Sequence, residues 1–233
     1  MKLSIVIAYR ADSGLRTRQM IWTVARYKKM FPSAEVIVSE DKSGTGWEGF
    51  CKSRWINRGV KRSSGDILLV TDIDVILPKD GIMEAIKHLD NHCLVVPYNV
   101  IYKLNTTTSS RILSASASSR MPAVNPDEQK KVVLGNSHPQ GIGVMTRENF
   151  LRSGGYDERF VGWGSEDSAF QIAARTMCDG SMLQLDGIAY HLKHPIVKNR
   201  HSLRDARVGE IINEYKAAEG NREAMGLIIG GRK

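Results

Sequence analysis

The stretch Ile67–Pro78 reads ILLVTDIDVILP, and it decides both the fold class and the place to look for chemistry. Its first five residues are apolar or β-branched, which is typical of a buried strand. The strand ends in two carboxylates separated by one residue, Asp72 and Asp74. In open α/β sheets ligands bind outside the carboxyl ends of the strands, so these acids stand where such proteins bind ligands.

Two carboxylates at one strand end repel each other, and a divalent cation would relieve that repulsion. Hard oxygen ligands suit Mg²⁺ or Mn²⁺, and these ions in turn bind phosphate oxygens. We therefore interpret Asp72 and Asp74 as metal-binding candidates. The alternative is a turn in which an aspartate caps the segment that follows.

Strands and helices alternate around this motif over the first hundred residues. Apolar patterning predicts strands at 3–8, 35–39 and 94–97, and helices at 15–31, 48–62 and 80–89. Such alternation predicts an α/β fold with a mostly parallel central sheet flanked by helices.

The pattern then breaks, because Ser and Thr dominate residues 106–119 and prolines follow at 122, 126 and 139. We expect a mobile loop of the lid type over 104–140. Patterning predicts that regular structure returns with a strand near 141–146, two short strands within 182–192, and a basic helical tail from 202 onward.

The net charge of +8 is unevenly distributed. Residues 1–64 carry 13 basic and 5 acidic side chains, whereas residues 65–191 carry 11 and 15. This distribution indicates an anionic ligand and a cation-binding centre in one molecule, and ordinary surface charge explains it equally well.

The apolar stretches are far shorter than the ~18 residues that span a bilayer, so we expect no stable membrane insertion. The cysteines Cys51, Cys93 and Cys178 are odd in number and form no CxxC pair. They argue against a disulfide framework or a zinc knuckle, and we expect a cytoplasmic location in a bacterium or a virus-infected host cell.

A second motif, GGYDERFVGWGSEDSAF, covers residues 154–170. Glycines bracket Trp163, and Glu166 and Asp167 follow at the start of a helix, where the macrodipole favours negative charge. Helix capping alone explains the acids but requires no aromatic residue between glycines. The arrangement suits a flat ligand such as a sugar ring, with a carboxylate beside it as a base.

Two further segments give weaker indications of function. In AYHLKHP (189–195), His191 or His194 would complete the metal shell begun by Asp74, although a lone histidine is more often a surface residue. The hexapeptide GTGWEG (44–49) matches GxGxxG, the fingerprint of nicotinamide and flavin enzymes. It follows the second predicted strand instead of the first, and it places a bulky and an acidic residue where a pyrophosphate would approach.

Four segments taken in order resemble the GT-A fold glycosyltransferases, particularly the β-1,4-galactosyltransferase and chondroitin-synthase-like group. They are IVIAYR (5–10), FCKSRWINRGV (50–60), VTDIDVILP (70–78), which resembles the DxD strand, and PQGIGVMTRENFLRSGGYDERFVGWGSED (139–167), which ends in a WGxED segment. The last segment is the most specific match, and the resemblance covers roughly residues 3–195.

The resemblance implies a nucleotide-diphospho-sugar transferase (GT-A) fold in one domain, residues 1–201. Within it, residues 1–103 would hold the nucleotide sugar and the metal, 104–140 would be the mobile loop, and 141–201 would bind the acceptor. A basic helical tail would follow at 202–233.

The resemblance also implies roles for individual residues. Asp74 and a histidine, His191 or else His194, would bind Mn²⁺ or Mg²⁺, with Asp72 at the metal or at the ribose. Asp167 would be the general base beside Glu166, and Trp163 would stack on sugar. The side chains implied in nucleotide binding are Tyr9, Arg10, Glu40, Phe50, Lys52 and Arg54. One departure is Ser168, which stands where the family often has a further acid.

The implied activity is metal-dependent transfer of a hexose from a nucleotide sugar, expected to be a UDP-hexose, to an acceptor hydroxyl with inversion. The acceptor would be a glycan or a hydroxymethylated base in double-stranded viral DNA. Without the stem and membrane anchor of the secretory enzymes, the chain is expected to be a bacterial or viral relative. A noncatalytic nucleic-acid-binding module is the alternative from another class, and the absence of interleaved aromatic and basic residues speaks against it.

Overall fold

The structure is a computed structural model, and it describes residues 1–11, 14–44, 49–134, 141–162, 164–195 and 207–232. The elements of the first part are, in order, β1 (Leu3–Arg10), α1 (Leu15–Met30), β2 (Glu35–Asp41), α2 (Lys52–Arg62), β3 (Ile67–Thr71), β4 (Val75–Ile76), α3 (Lys79–Lys87), β5 (His92–Val96) and β6 (Val100–Lys103). Those of the second part are α4 (Thr106–Ser114), a 3-10 turn (Pro126–Glu128), β7 (Lys130–Val133), β8 (Gly143–Thr146), α5 (Arg147–Arg152), α6 (Glu166–Met177), β9 (Ser181–Gln184), β10 (Ile188–His191), α7 (Val208–Ala217) and α8 (Arg222–Gly230).

A six-stranded sheet with the strand order β2-β1-β3-β8-β5-β9 forms the centre of the fold. β1 pairs in parallel with β2 and β3, and β5 pairs in parallel with β9. β8 runs antiparallel between β3 and β5. The mostly parallel sheet predicted from the alternation is confirmed, with β8 as its reversed strand.

Helices cover both faces of this sheet, so alternate side chains of β1 enter two different hydrophobic clusters. Ile5 and Ile7 pack in one cluster with Tyr27 of α1. Val6 packs in the other with Ile56 of α2. Each such aliphatic side chain contributes about 2 kcal/mol by leaving water, which makes the sheet a stable platform for the residues at its edge.

The carboxyl ends of β1, β2 and β3 meet at one edge of the sheet because these strands are parallel. In the register of the sheet Arg10 lies beside Asp41, and Asp72 follows β3 directly. Charged residues of three separate segments are thereby collected at the edge where α/β proteins bind ligands.

A second, four-stranded sheet in the order β4-β10-β6-β7 lies beyond this edge, and the sequence analysis did not predict it. β10 pairs antiparallel with β4, which places His191 opposite Val75. The Leu192 N–H donates to the carbonyl of Asp74 at 2.7 Å. This sheet joins the end of the DxD motif to the histidine segment.

Within the mobile loop expected at 104–140, residues 104–134 contain α4, the 3-10 turn and β7, and residues 135–140 lie outside the described residues. Side chains of α1 also hold the segment after α4. Trp22 Nε1 donates to the carbonyl of Ala115 at 3.0 Å. The buried Arg26 guanidinium donates to the carbonyls of Ser118 and Arg120, and also to that of Leu77 at 3.0 Å.

The tail is helical as predicted in α7 and α8, while residues 196–206 lie outside the described residues. The buried side chains Ile211, Tyr215 and Met225 of these helices pack against Ala169 and Ala173 of α6. Among the residues that the structure describes, no helix is both long and apolar enough to cross a membrane.

We predict that Arg26→Met destabilises the protein and exposes the segment around Ser118 to proteases. Carbonyls at Leu77, Ser118 and Arg120 would lose a charged donor, so the expected loss of unfolding free energy is on the order of 3 kcal/mol. Denaturant unfolding and limited proteolysis measure the two effects. Lys28→Met, which removes an exposed charge from the same helix, is the control; equal behaviour of the two variants would contradict the role given to Arg26.

Candidate active site

Asp74, His191 and His194 form a cluster that can hold a metal ion. One potential ligand atom from each residue lies within 4.8 Å of the others. Asp74 is buried just beyond β3, His191 ends β10, and His194 lies in the segment that follows. The sequence left open which histidine joins Asp74, and the structure brings both of them to it.

The geometry of His194 fits a cation at this position. Its Nδ1 lies 2.9 Å from the carbonyl oxygen of Pro195, which can only accept, so Nδ1 carries the proton. Nε2, the other ring nitrogen, lies 3.5 Å from the Asp74 carboxylate and is the atom of this ring that can bind a metal ion.

The charges around Asp74 keep it ionised. Burial would raise the pKa of Asp74, but the charges of His191, Arg16 and His194 outweigh it and hold this pKa below its ordinary value. Arg16 Nη1 lies 3.4 Å from the carboxylate. Sequence analysis did not single out Arg16, because a basic residue in the first turn of a helix gives no signal that separates it from surface charge.

Asp72 is not part of this cluster, and its carboxylate instead pairs with Lys52, at 3.3 Å from Nζ. Lys52 is the first residue of α2, and its side chain is only 13% exposed. The same Nζ lies 3.4 and 3.5 Å from the two carboxylate oxygens of Asp167. Lys52 therefore bridges the DxD motif and the acidic motif, which are far apart in sequence.

Gly141 lies against this bridge. A Cβ atom at this position would lie 2.4 Å from Lys52 Nζ and 2.7 Å from an oxygen of Asp167. Any larger residue would therefore displace the ion pair, which gives a packing reason for glycine here.

The turn before α6 directs the acids. Gly162, Gly164 and Ser165 have φ values of 87°, 102° and 73°, and Ser165 is the one non-glycine residue of the described chain with positive φ. Backbone strain of this kind costs about 1–3 kcal/mol and is common at functional sites. Ser165 is the N-cap, so Asp167 lies inside the first turn and faces Lys52 instead of capping the helix. Trp163 lies outside the described residues.

Asp167 has the electrostatics of a base that works near neutrality. Burial, with the like charges of Glu166 and Asp72, raises the pKa of Asp167 to about 7 against the opposing charge of Lys52. Burial would lower the pKa of Lys52, but Asp167, Asp72 and Glu166 raise it well above its usual value, so Lys52 stays a cation. A general base is most effective when its pKa lies near the working pH.

Two buried tyrosines that sequence analysis did not select adjoin this group. Tyr156 stacks on Phe170 with ring centroids 4.2 Å apart, and burial with the charge of Asp167 raises its pKa. Burial raises the pKa of Tyr98, and the charges of Asp72 and Asp167 add to the effect. Both phenols therefore stay neutral beside the acids. Only Tyr156 had a sequence signal, as part of the segment 154–170.

The predicted nucleotide-binding residues lie mainly at the ends of β1 and β2. Arg10 is buried, donates from Nε to Asp41 at 2.9 Å, and its guanidinium lies 5.1 Å from the centre of the Phe50 ring. Tyr9 shares a 2.7 Å hydrogen bond with Thr17. The fold thus brings the ring of Phe50 to Arg10 at the end of β1.

The remaining two predicted residues lie at more exposed positions. Glu40 is paired in register with Tyr9 and lies 3.8 Å from Lys42. Arg54 donates from Nε to Glu158 at 3.0 Å on the surface. In the GxGxxG segment that starts at Gly44, residues 45–48 lie outside the described residues.

Comparisons with protein families and with solved structures identify what the chain is similar to. The family model described as the N-terminal domain of galactosyltransferase matches residues 135–195, which include the Gly141, Asp167 and histidine segments. No curated protein matches the chain in sequence.

Several solved structures share the fold. The catalytic domain of Drosophila β1,4-galactosyltransferase 7 in complex with xylobiose is 16% identical, with a TM-score of 0.52 over 92% of this chain and 80% of that one. S. aureus TarS in complex with UDP-GlcNAc is 14% identical, with a TM-score of 0.56 over 98% and 70%. A mutant of the Drosophila enzyme in complex with manganese, UDP-Gal and xylobiose is 13% identical, with a TM-score of 0.50 over 88% and 80%. The chain has the fold of GT-A glycosyltransferases, and the resemblance predicted from its motifs is confirmed.

We predict that Lys52→Met raises the pKa of Asp167 above about 7. The lysine charge favours the ionised carboxylate, so its removal stabilises the protonated form. Carboxylate titration by ¹³C NMR measures the change. Lys61→Met, on the exposed side of the same helix, is the control and should leave this pKa unchanged; an unchanged or lowered pKa in Lys52→Met would contradict the bridge.

Proposed function

We propose that the protein is a metal-dependent glycosyltransferase that moves a hexose from a UDP-sugar to an acceptor hydroxyl with inversion. The observation that carries this proposal is the bridge of Lys52 between Asp72 and Asp167. It joins the DxD motif, whose second aspartate belongs to the metal cluster, to a carboxylate with the properties of a base. The fold shared with GT-A glycosyltransferases supports the same conclusion.

The donor set of the cluster favours Mn²⁺. Mg²⁺ prefers oxygen ligands alone, whereas a set of one carboxylate and two imidazoles suits a softer divalent ion. Asp74, His191 and His194 would hold the ion. When bound, it neutralises the charge that develops on the nucleoside diphosphate leaving group.

Asp167 would accept the proton of the acceptor hydroxyl as that oxygen attacks the sugar carbon. Lys52 favours the ionised carboxylate, whereas burial and the like charges of Glu166 and Asp72 raise its pKa. A single attack of this kind on the face opposite the leaving group inverts the anomeric centre. The mechanism requires no covalent intermediate on the protein.

The ends of β1 and β2 would bind the nucleotide. Phe50 and the Arg10–Asp41 pair form an aromatic and charged wall there, next to Tyr9 and Glu40. The solved structures with UDP-Gal and UDP-GlcNAc share this fold, which supports a uridine nucleotide.

For the acceptor we propose a glycan, since the similar Drosophila enzyme was solved with xylobiose. A hydroxymethylated base in double-stranded DNA is the second candidate. The exposed residues Arg58, Lys61 and Arg62 of α2 are all basic and could contact DNA phosphates. Transfer from UDP-hexoses to oligosaccharides and to hydroxymethylated DNA, measured side by side, separates the two.

The three cysteines are buried free thiols, which supports a cytoplasmic location.

We predict that chelation abolishes transfer and that Mn²⁺ restores it better than Mg²⁺. Asp74→Ala, His191→Ala and His194→Ala should each weaken Mn²⁺ binding, because each removes one ligand of the cluster. Calorimetric titration with MnCl₂ measures the affinity, and His88→Ala, a surface histidine, is the control. Full transfer activity in excess chelator would refute the metal assignment.

We predict that Asp167→Asn lowers the transfer rate by ~10²–10⁴ and leaves donor affinity nearly unchanged, since asparagine cannot take the proton. In the wild type the rate should fall as the pH drops through about 7, where Asp167 becomes protonated. The variant should lose this pH dependence.

The matched control is Asp80→Asn, because Asp80 is the second residue of α3 as Asp167 is of α6. It removes the same charge from an equivalent helix position. A wild-type transfer rate in Asp167→Asn would refute the base assignment, and lost UDP-sugar binding would move Asp167 to the donor site.

A further inference from the structure

The inner face of α1 carries three polar side chains at positions where a helix normally buries apolar ones. Gln19, Thr23 and Arg26 are 0%, 1% and 2% exposed and follow one another at helical spacing. Burying a polar group costs free energy unless it is hydrogen-bonded. The hydrogen-bond partners of these three side chains therefore indicate their role.

Two of the partners immediately precede residues of the metal cluster in the sequence. Thr23 Oγ1 donates to the carbonyl of Ile73 at 2.7 Å, and Ile73 stands between Asp72 and Asp74. Gln19 Nε2 donates to the carbonyl of Lys193 at 3.1 Å, the peptide group that leads into His194. One helix thus holds the backbone of both segments that supply the metal ligands.

These hydrogen bonds add to the β4–β10 strand pair, which already joins the two segments. The segments meet through the Leu192 N–H bond to Asp74 described above, and the Lys193 N–H donates to Ser109 Oγ of α4 at 2.8 Å. Gln19 and Thr23 are one helical turn apart, about 6 Å along a rigid axis. The helix therefore supports, from behind, the spacing between the carboxylate and the imidazole.

We propose that Gln19 and Thr23 are positioning residues that hold the Asp74 and histidine segments at the spacing a divalent metal ion requires. The inference rests on the metal cluster of the proposed function and adds the residues that preorganise it. Groups that orient metal ligands from behind typically change metal affinity 10- to 100-fold when they are removed.

The test is Mn²⁺ affinity without any donor or acceptor, measured by electron paramagnetic resonance of the free ion. Thr23→Val keeps the shape of the side chain and removes the donor, so we expect 10- to 100-fold weaker binding. Thr23→Ser keeps the hydroxyl and should bind Mn²⁺ as the wild type does. Thr176→Val, which alters a buried threonine that accepts from Gly220 N–H far from the cluster, is the matched control.

Thermal unfolding of the same variants without metal separates positioning from a merely structural role. Wild-type Mn²⁺ affinity in Thr23→Val, with or without a lower melting temperature, would overturn the proposal. Gln19→Leu carries the same test if Thr23→Val does not fold, and failure of both to fold would also overturn it. If the wild type itself binds no Mn²⁺, the metal-dependent function falls and the inference falls with it.

Discussion

Repulsion among four carboxylates is the constraint around which this site is built. Asp72, Asp74, Glu166 and Asp167 come from two distant motifs, and the fold brings them to one edge of a sheet. Such a concentration of negative charge is tolerated only with compensating cations. Lys52 supplies one between Asp72 and Asp167, and Arg16 supplies another at Asp74. Both cations come from the basic first quarter of the chain, and all four carboxylates come from its acidic middle.

Much of the structure of the first hundred residues could be predicted from local sequence. The strand before Asp72 is apolar throughout and its neighbours alternate with helices, so both the sheet and the position of the acids follow from short-range patterns. The segment at 104–134 was not readable in this way. Helix α4 is rich in Ser and Thr, which favour turns, yet Asn105 caps it and its buried face packs against the core through Ile112. Its partners on α1 are far away in sequence.

The residues of the candidate site also divide into those that local motifs identify and those that only tertiary contacts identify. Asp74 and Asp167 were identifiable because their motifs combine unusual residues within a few positions. That both His191 and His194 lie near Asp74 depends on the pairing of β10 with β4, a long-range contact that no local pattern encodes. Lys52 was predicted as a nucleotide ligand, and the structure adds an ion pair with the two acids. Arg16, Gln19 and Thr23 carried no signal, since only their tertiary partners distinguish them from ordinary helix residues.

The reversed strand β8 has a consequence for how the chain folds. It is inserted between β3 and β5, and the second neighbour of β5 is β9, so β5 gains both of its partners from residues after 140. During synthesis the first hundred residues therefore emerge with unpaired, apolar strand edges that wait for the rest of the chain. Non-local pairing of this kind slows folding and exposes surfaces prone to aggregation. The proposed donor and acceptor halves therefore do not coincide with folding units, and neither is expected to be inherited or exchanged as an autonomous module.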